Sequence, residues 1–247
     1  MIRLLQKCLL WSFLATLLPV LSLRWLPPPV TAFMVRAEIR AIMQGDQDFR
    51  LRQHWVAYEH IAPVTALAVV AAEDQLFNQH FGFDLDALEQ AMRDNEAGKR
   101  LRGASTLTQQ TAKNLFLYPE QSYVRKALEA YLTVLMELTL PKQRILEIYL
   151  NIAEFGEGIY GVGAASETFF SKQPDCLTAQ ESALLAAVLP NPQRLRVDQP
   201  TAYVLARKAW ILKQMRQLGG AAYLGDLRVQ GLRLPVLHLP QHFHRLA

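Results

Sequence analysis

From Pro63 the apolar positions Val64, Leu67, Ala68, Val70 and Ala71 recur at helical spacing and lead directly into Glu73 and Asp74. The pattern predicts a helix that ends on two adjacent carboxylates. Ser105 reads as the N-cap of a helix over about residues 106–117, and Ser122 as the cap of one over about 123–139. Pro141 suits the first turn of a helix running to about Leu150. Thr178 and Glu181 have capping-box spacing ahead of Ser182 to Leu189, and Pro190, Asn191 and Pro192 stop that helix. A last helix over about 201–218 ends at Gly219 and Gly220. Residues 31–60 are mixed, with a helix near 31–44 and a turn at Gly45, Asp46 and Gln47. No sustained strand alternation, repeat or low-complexity tract occurs, so the body is expected to be mainly α-helical.

The N-terminal pattern is different. Arg3 and Lys7 precede an uncharged run from Cys8 to Leu23, closed by Arg24, Trp25, Leu26 and three prolines. Leu4, Leu5, Trp25 and Leu26 extend the run towards the length of a membrane span, and Trp25 suits the interface. The basic start places the N-terminus in the cytoplasm and everything after residue 26 outside. The alternative is a cleaved signal peptide, with small-residue spacing at Val30, Thr31 and Ala32. Either reading exports the body.

With 247 residues, 51% of them hydrophobic, the chain can bury one substantial core, and a single domain is preferred over two small ones. A net charge of +4 suits an anionic membrane surface or a phosphorylated substrate, and also many ordinary enzymes. Cys8 lies in the apolar run, so no intramolecular disulfide framework is available, and Cys176 reads as a small apolar filler. H-E-x-x-H, C-x-x-C, P-loop and S-x-x-K motifs are absent from the sequence. Gly156, Gly158 and Gly161 fit G-x-G-x-x-G, but the segment before them reads as helix running into loop, which points to a flexible loop near the site rather than a dinucleotide cradle. His238, His242 and His244 sit in a proline-containing tail, where a metal site is not expected.

Three segments carry candidate chemistry. In Glu73 to Asp84, a carboxylate placed against buried surface is a candidate base, while the plain alternative is a solvated helix end. In Gly103 to Asn114, Thr106, Gln109 and Lys113 share a helix face, offering a cation and amides to phosphate or sugar hydroxyls, against the alternative of a surface helix. Arg125 and Glu129 lie one turn apart on an otherwise apolar helix, which favours a partly buried pair over a solvated one.

Together with Lys126, Lys142 to Asn151 (KQRILEIYLN) and Ile152 to Gly163 (IAEFGEGIYGVG), these segments resemble the glycosyltransferase module of peptidoglycan synthases in its monofunctional form, glycosyltransferase family 51. The resemblance covers about residues 60–195 in the family's order and spacing. It implies a mainly α, lysozyme-like fold with two lobes around a cleft that opens at the membrane, preceded by one N-terminal transmembrane helix. The chain then divides into a cytoplasmic start and anchor (1–26), a linker and membrane-proximal segment (27–60), a glycosyltransferase domain (61–220) and a C-terminal tail (221–247).

The implied activity joins disaccharide-pentapeptide units of lipid II, carried on undecaprenyl pyrophosphate, into β-1,4-linked glycan with inversion. Glu73 would take the acceptor hydroxyl proton and Glu129 would assist across the cleft. Ser105, Gln109, Gln110, Lys113 and Arg125 would line the groove for sugar and pyrophosphate. A pyrophosphate leaving group needs cations rather than a general acid, so one base suffices. No cofactor or metal is required, and stimulation by a divalent cation is left open. The implied partners are lipid II, the growing glycan, the cytoplasmic membrane and other cell-wall synthesis or division proteins, with no nucleic acid. The implied location is the bacterial inner membrane, single-pass, with the catalytic domain on the periplasmic side. Ala104 and Gln121 depart from the family pattern, and Lys99, Arg100 and Arg102 are placed to compensate for the cation missing at Gln121. A lytic glycan-cleaving enzyme of the same fold class would lack the polar Gln109–Lys113 strip, and an inactive scaffold would have lost Glu73 or Glu129.

Overall fold

The computed structural model describes residues 2–96, 105–120 and 122–229. The chain is mainly helical: α1 (Ile2–Ser22), α2 (Ala32–Gln44), α3 (Pro63–Glu73), α4 (Leu85–Glu96), α5 (Leu107–Phe116), α6 (Tyr123–Thr139) and α7 (Lys142–Ile152) are followed by α8 (Gly161–Phe170), α9 (Ala179–Val188), α10 (Ala202–Gln217) and α11 (Ala222–Val229). Lys99, Arg100, Arg102, Gly103, Ala104, Gln121 and the three tail histidines lie outside the described residues.

Most helix ends follow their local chemistry. The Thr31 hydroxyl accepts from the Met34 N–H at 3.2 Å to open α2, and Gly45 closes it in the left-handed conformation. Ser122 caps α6 and the Thr178–Glu181 capping box opens α9, as expected. Two ends differ from expectation. Pro141 occupies the N-cap of α7 rather than its first turn. α5 is capped by Thr106, not Ser105: the Thr106 hydroxyl accepts from the Gln109 N–H, and the Gln109 side-chain oxygen accepts from the Thr106 N–H. A capping box needs Glu or Gln three residues after the cap, which Thr106 has in Gln109 and Ser105 lacks.

α3 is the centre of the core. Thr65 to Ala71 are all buried, so the helix is enclosed on every side rather than along one stripe, packed against α9 and α10. Its one polar position there, Thr65, is satisfied by the Ser182 hydroxyl at 2.8 Å. α5 packs against α6 and α7.

A small sheet accompanies the helices: β1 (Arg52–Gln53) pairs parallel with β3 (Ile159–Tyr160), which pairs antiparallel with β2 (Glu154–Gly156). Strands of two or three residues are too short to show alternation. They also revise the expected flexible loop at Gly156, Gly158 and Gly161, which is a hairpin leading straight into α8. Gly161 has φ 81°, and a Cβ there would stand 2.5 Å from the Asn151 carbonyl oxygen. With β2 and β3 joined directly, no helix lies between them to form a dinucleotide-binding strand–helix–strand unit at these glycines.

The end of α1 is part of the body. Val20 and Leu23 lie in the main core, the Thr16 and Tyr131 hydroxyls share a hydrogen bond of 2.7 Å, and Arg144 donates to the Leu23 carbonyl at 2.7 Å. Leu10, Trp11, Phe13 and Leu18 are exposed. Among the described residues, no helix is long and apolar enough to cross a membrane.

Candidate active site

The two carboxylates that end α3 separate in role. Asp74 turns inward, buried: one oxygen accepts from the Leu107 N–H at 2.9 Å and the other faces His80 Nε2 at 2.8 Å. It therefore holds the first amide of α5, where a carboxylate also complements the helix dipole.

Glu73 faces the other way. Its carboxylate accepts from Gln110 Nε2 and from Arg207 Nη2, each at 3.0 Å, and its side chain is 13% exposed. Gln110 is oriented in turn, because its side-chain oxygen accepts from the Tyr149 hydroxyl at 3.1 Å. Burial, reinforced by the Glu73 charge, pushes the Tyr149 pKa well above the ordinary phenol value. Tyr149 thus stays a donor, which fixes the amide with its NH₂ towards Glu73. An ionised carboxylate has about four acceptor sites, so Glu73 keeps capacity for a further donor.

A second centre surrounds Glu129, which is 2% exposed. One oxygen accepts from Arg125 Nη1 at 2.6 Å, and the other pairs with the Lys126 ammonium, which also reaches the Ser105 hydroxyl at 3.4 Å. Lys113 is directed at neither carboxylate as a partner: among the described residues it makes no ion pair, and its ammonium sits 5.6 Å from the centre of the Phe33 ring. Burial lowers its pKa below the ordinary lysine value, opposed by the attraction of Glu129.

Of the residues singled out from sequence, Gln110 joins Glu73, while Ser105, Lys113 and Arg125 gather towards Glu129. Gln109 is 7% exposed and its side chain is engaged in the capping box of α5. Arg207 and Tyr149 were missed. Tyr149 lay within KQRILEIYLN without being singled out, and Arg207, 134 residues from Glu73, lay in a helix read only for its length. Among the described residues, no group of three or more His, Cys, Asp or Glu side chains is placed to hold a metal ion.

The site is therefore a hydrogen-bonded carboxylate, Glu73, beside a cation cluster around Glu129, with Gln110 and Lys113 reaching them from α5. Residues 40–216 match the family model described as transglycosylase. The chain is 52% identical over 225 residues to a protein of Pectobacterium atrosepticum named biosynthetic peptidoglycan transglycosylase, covering 91% of this chain and 92% of that one. It is 49% identical over 226 residues to a protein of the same name from Ectopseudomonas mendocina, covering 92% and 93%. A Xanthomonas oryzae protein of that name is 50% identical over 226 residues, covering 89% and 92%. A match of this length and identity, over the segments that build the carboxylate and cation centres, shows that the chain belongs to the transglycosylase family.

Proposed function

We propose that this chain is a peptidoglycan glycosyltransferase that polymerises lipid II into β-1,4-linked glycan, with Glu73 as its base. The observation that carries this reading is the carboxylate of Glu73, held by Gln110 and Arg207, with the half-buried Lys113, which makes no ion pair among the described residues, one helical turn after Gln110. Glu73 accepts the proton of the acceptor sugar hydroxyl as its oxygen attacks the donor anomeric carbon. The bond from that carbon to the pyrophosphate oxygen breaks, and its electron pair leaves on undecaprenyl pyrophosphate. Lys113, Arg125 and Lys126 stabilise the departing charge in a half-buried setting, where each cation counts for more than in water. Glu129 acts by keeping Arg125 and Lys126 in place, and Ser105 completes that corner. Gln109 contributes by fixing the start of α5. These steps require no metal, since side-chain cations meet the leaving group directly, and a divalent cation could still stimulate them.

We read the body as a lysozyme-like domain of two lobes and α1 as its single-pass anchor in the inner membrane, with catalysis on the periplasmic face. The exposed apolar side chains of α1 and its basic start support that reading. The growing glycan and other cell-wall synthesis or division proteins are then the partners.

Incubating the purified full chain with labelled lipid-linked disaccharide precursor should yield lysozyme-sensitive polymer. Glu73→Gln should keep the melting temperature and lose at least about 100-fold in rate, because the amide cannot accept the proton. More than about a tenth of wild-type turnover in that variant removes Glu73 from the role.

For Lys113→Ala, transition-state stabilisation should fall by about 2–4 kcal/mol while stability changes by no more than about 0.5 kcal/mol. The charge of Lys113 is present below its lowered pKa and lost as pH rises through it, so the alkaline limb of the wild-type rate profile should begin below the ordinary lysine range. Lys113→Arg should restore part of the rate and move that limb upward. Unchanged rates in both variants would contradict the assignment.

Deleting residues 2–14 spares Val20 and Leu23, which the core needs. The full chain should stay with membranes through alkaline carbonate extraction and the truncated chain should be released. Equal retention of the two would rule out α1 as the anchor.

A further inference from the structure

α10 carries more of the site than Arg207. Arg207 donates to Glu73, and Gln214 accepts from Gln75 Nε2 at 3.2 Å, so the flank bearing both residues faces the end of α3. Tyr203 and Trp210 stand four residues before and three residues after Arg207, which puts them on the same flank. The core side of α10 is carried by Val204, Ile211 and Met215 instead. Tyr203 is 58% exposed and Trp210 44% exposed, one helical turn on either side of the arginine that holds the carboxylate read as the base. Among the described residues neither makes a hydrogen bond, ring contact or cation contact, so the phenol hydroxyl and the indole N–H have no partner there.

Exposed aromatic rings flanking an arginine that pairs with the base match one ligand chemistry well. A β-linked pyranose presents a flat face of C–H groups that packs on an aromatic ring, while its rim of hydroxyls meets a polar tip such as those of Tyr and Trp. Seven residues of helix set the two positions about 10 Å apart along the helix axis, comparable to one disaccharide repeat of a β-1,4-linked aminosugar chain. We propose that Tyr203 and Trp210 form a two-ring saccharide platform on α10, which seats consecutive sugars of the acceptor and presents its terminal hydroxyl to Glu73. Arg207, between the rings, ties the platform to the carboxylate. This rests on Glu73 being the base of a sugar transfer.

The test uses the full chain in detergent carrying Glu73→Gln, so that ligand is held and not consumed, and titrates it calorimetrically with β-1,4-linked N-acetylglucosamine oligomers. Adding Trp210→Ala or Tyr203→Ala should weaken binding by about tenfold, while Trp210→Phe retains most of it. In the otherwise wild-type chain, Trp210→Ala should raise KM for the lipid-linked disaccharide several-fold and leave kcat within about twofold, with an unchanged melting temperature. Wild-type oligomer affinity and KM in both alanine variants would overturn the platform while leaving the polymerase reading intact. Loss of oligomer binding in a protein whose unsubstituted form makes no polymer would do the reverse. Should the alanine variants keep sugar affinity but lose binding to anionic phospholipid vesicles, the flank belongs to the membrane and the proposal falls.

Discussion

The hydrogen bond from the Leu107 amide to the Asp74 carboxylate joins the end of α3 to the start of α5, and the rest of the site is arranged around that joint. α3 is enclosed by the core and cannot shift, so whatever it holds is held rigidly. Thr106 tightens the same joint by donating to the Gly82 carbonyl at 2.7 Å. Gly82 has φ 77°, and a Cβ there would stand 2.6 Å from the Thr133 methyl carbon, so α6 presses on the joint from the other side. Glu137 completes the lock, accepting from Thr108 on α5 at 2.5 Å and from Lys142 on α7 at 2.7 Å. An ion pair this buried adds little net stability against hydrophobic packing, but losing either partner strands a charge, which fixes the geometry of the three helices.

With α5 fixed, the two charged centres of this peptidoglycan transglycosylase acquire different chemistry. At Glu73 the donors are few and directional: Tyr149 stands behind Gln110, and the core helix α3 stands behind Glu73 itself. At Glu129 the carboxylate is spent on Arg125 and Lys126, and Lys113 has no carboxylate partner among the described residues. The two centres adjoin at Ser105, whose carbonyl accepts from Gln110 Nε2 and whose hydroxyl meets Lys126, both at 3.4 Å.

Much of this was readable from residues alone because it is local. The pattern from Val64 to Ala71 announced a helix ending on carboxylates, and Ser122, Thr178 and Gly45 marked helix ends through their own hydrogen-bonding or backbone preferences. The start of α5 was misplaced by one residue because two hydroxyls adjoin, and only the position of Gln109 distinguishes them. What periodicity could not show was non-local. Nothing near Glu73 in sequence says that Asp74, and not Glu73, would turn inward, or that Arg207 would return from α10. The strands at Arg52, Glu154 and Ile159 exist by pairing across the chain rather than by any pattern of their own.

The dependence of chemistry on the α3–α5 joint is tested most directly by Asp74→Asn, measuring polymerisation of lipid-linked disaccharide against the folded fraction of the same sample. An amide can still face the Leu107 N–H but loses the charge that draws α5 and His80 together, so stability should fall by about 1–3 kcal/mol. The rate per folded molecule should fall by about tenfold or more, since Gln110 and Lys113 move with the helix. A folded Asp74→Asn protein that polymerises at the wild-type rate would contradict the central role given to this joint.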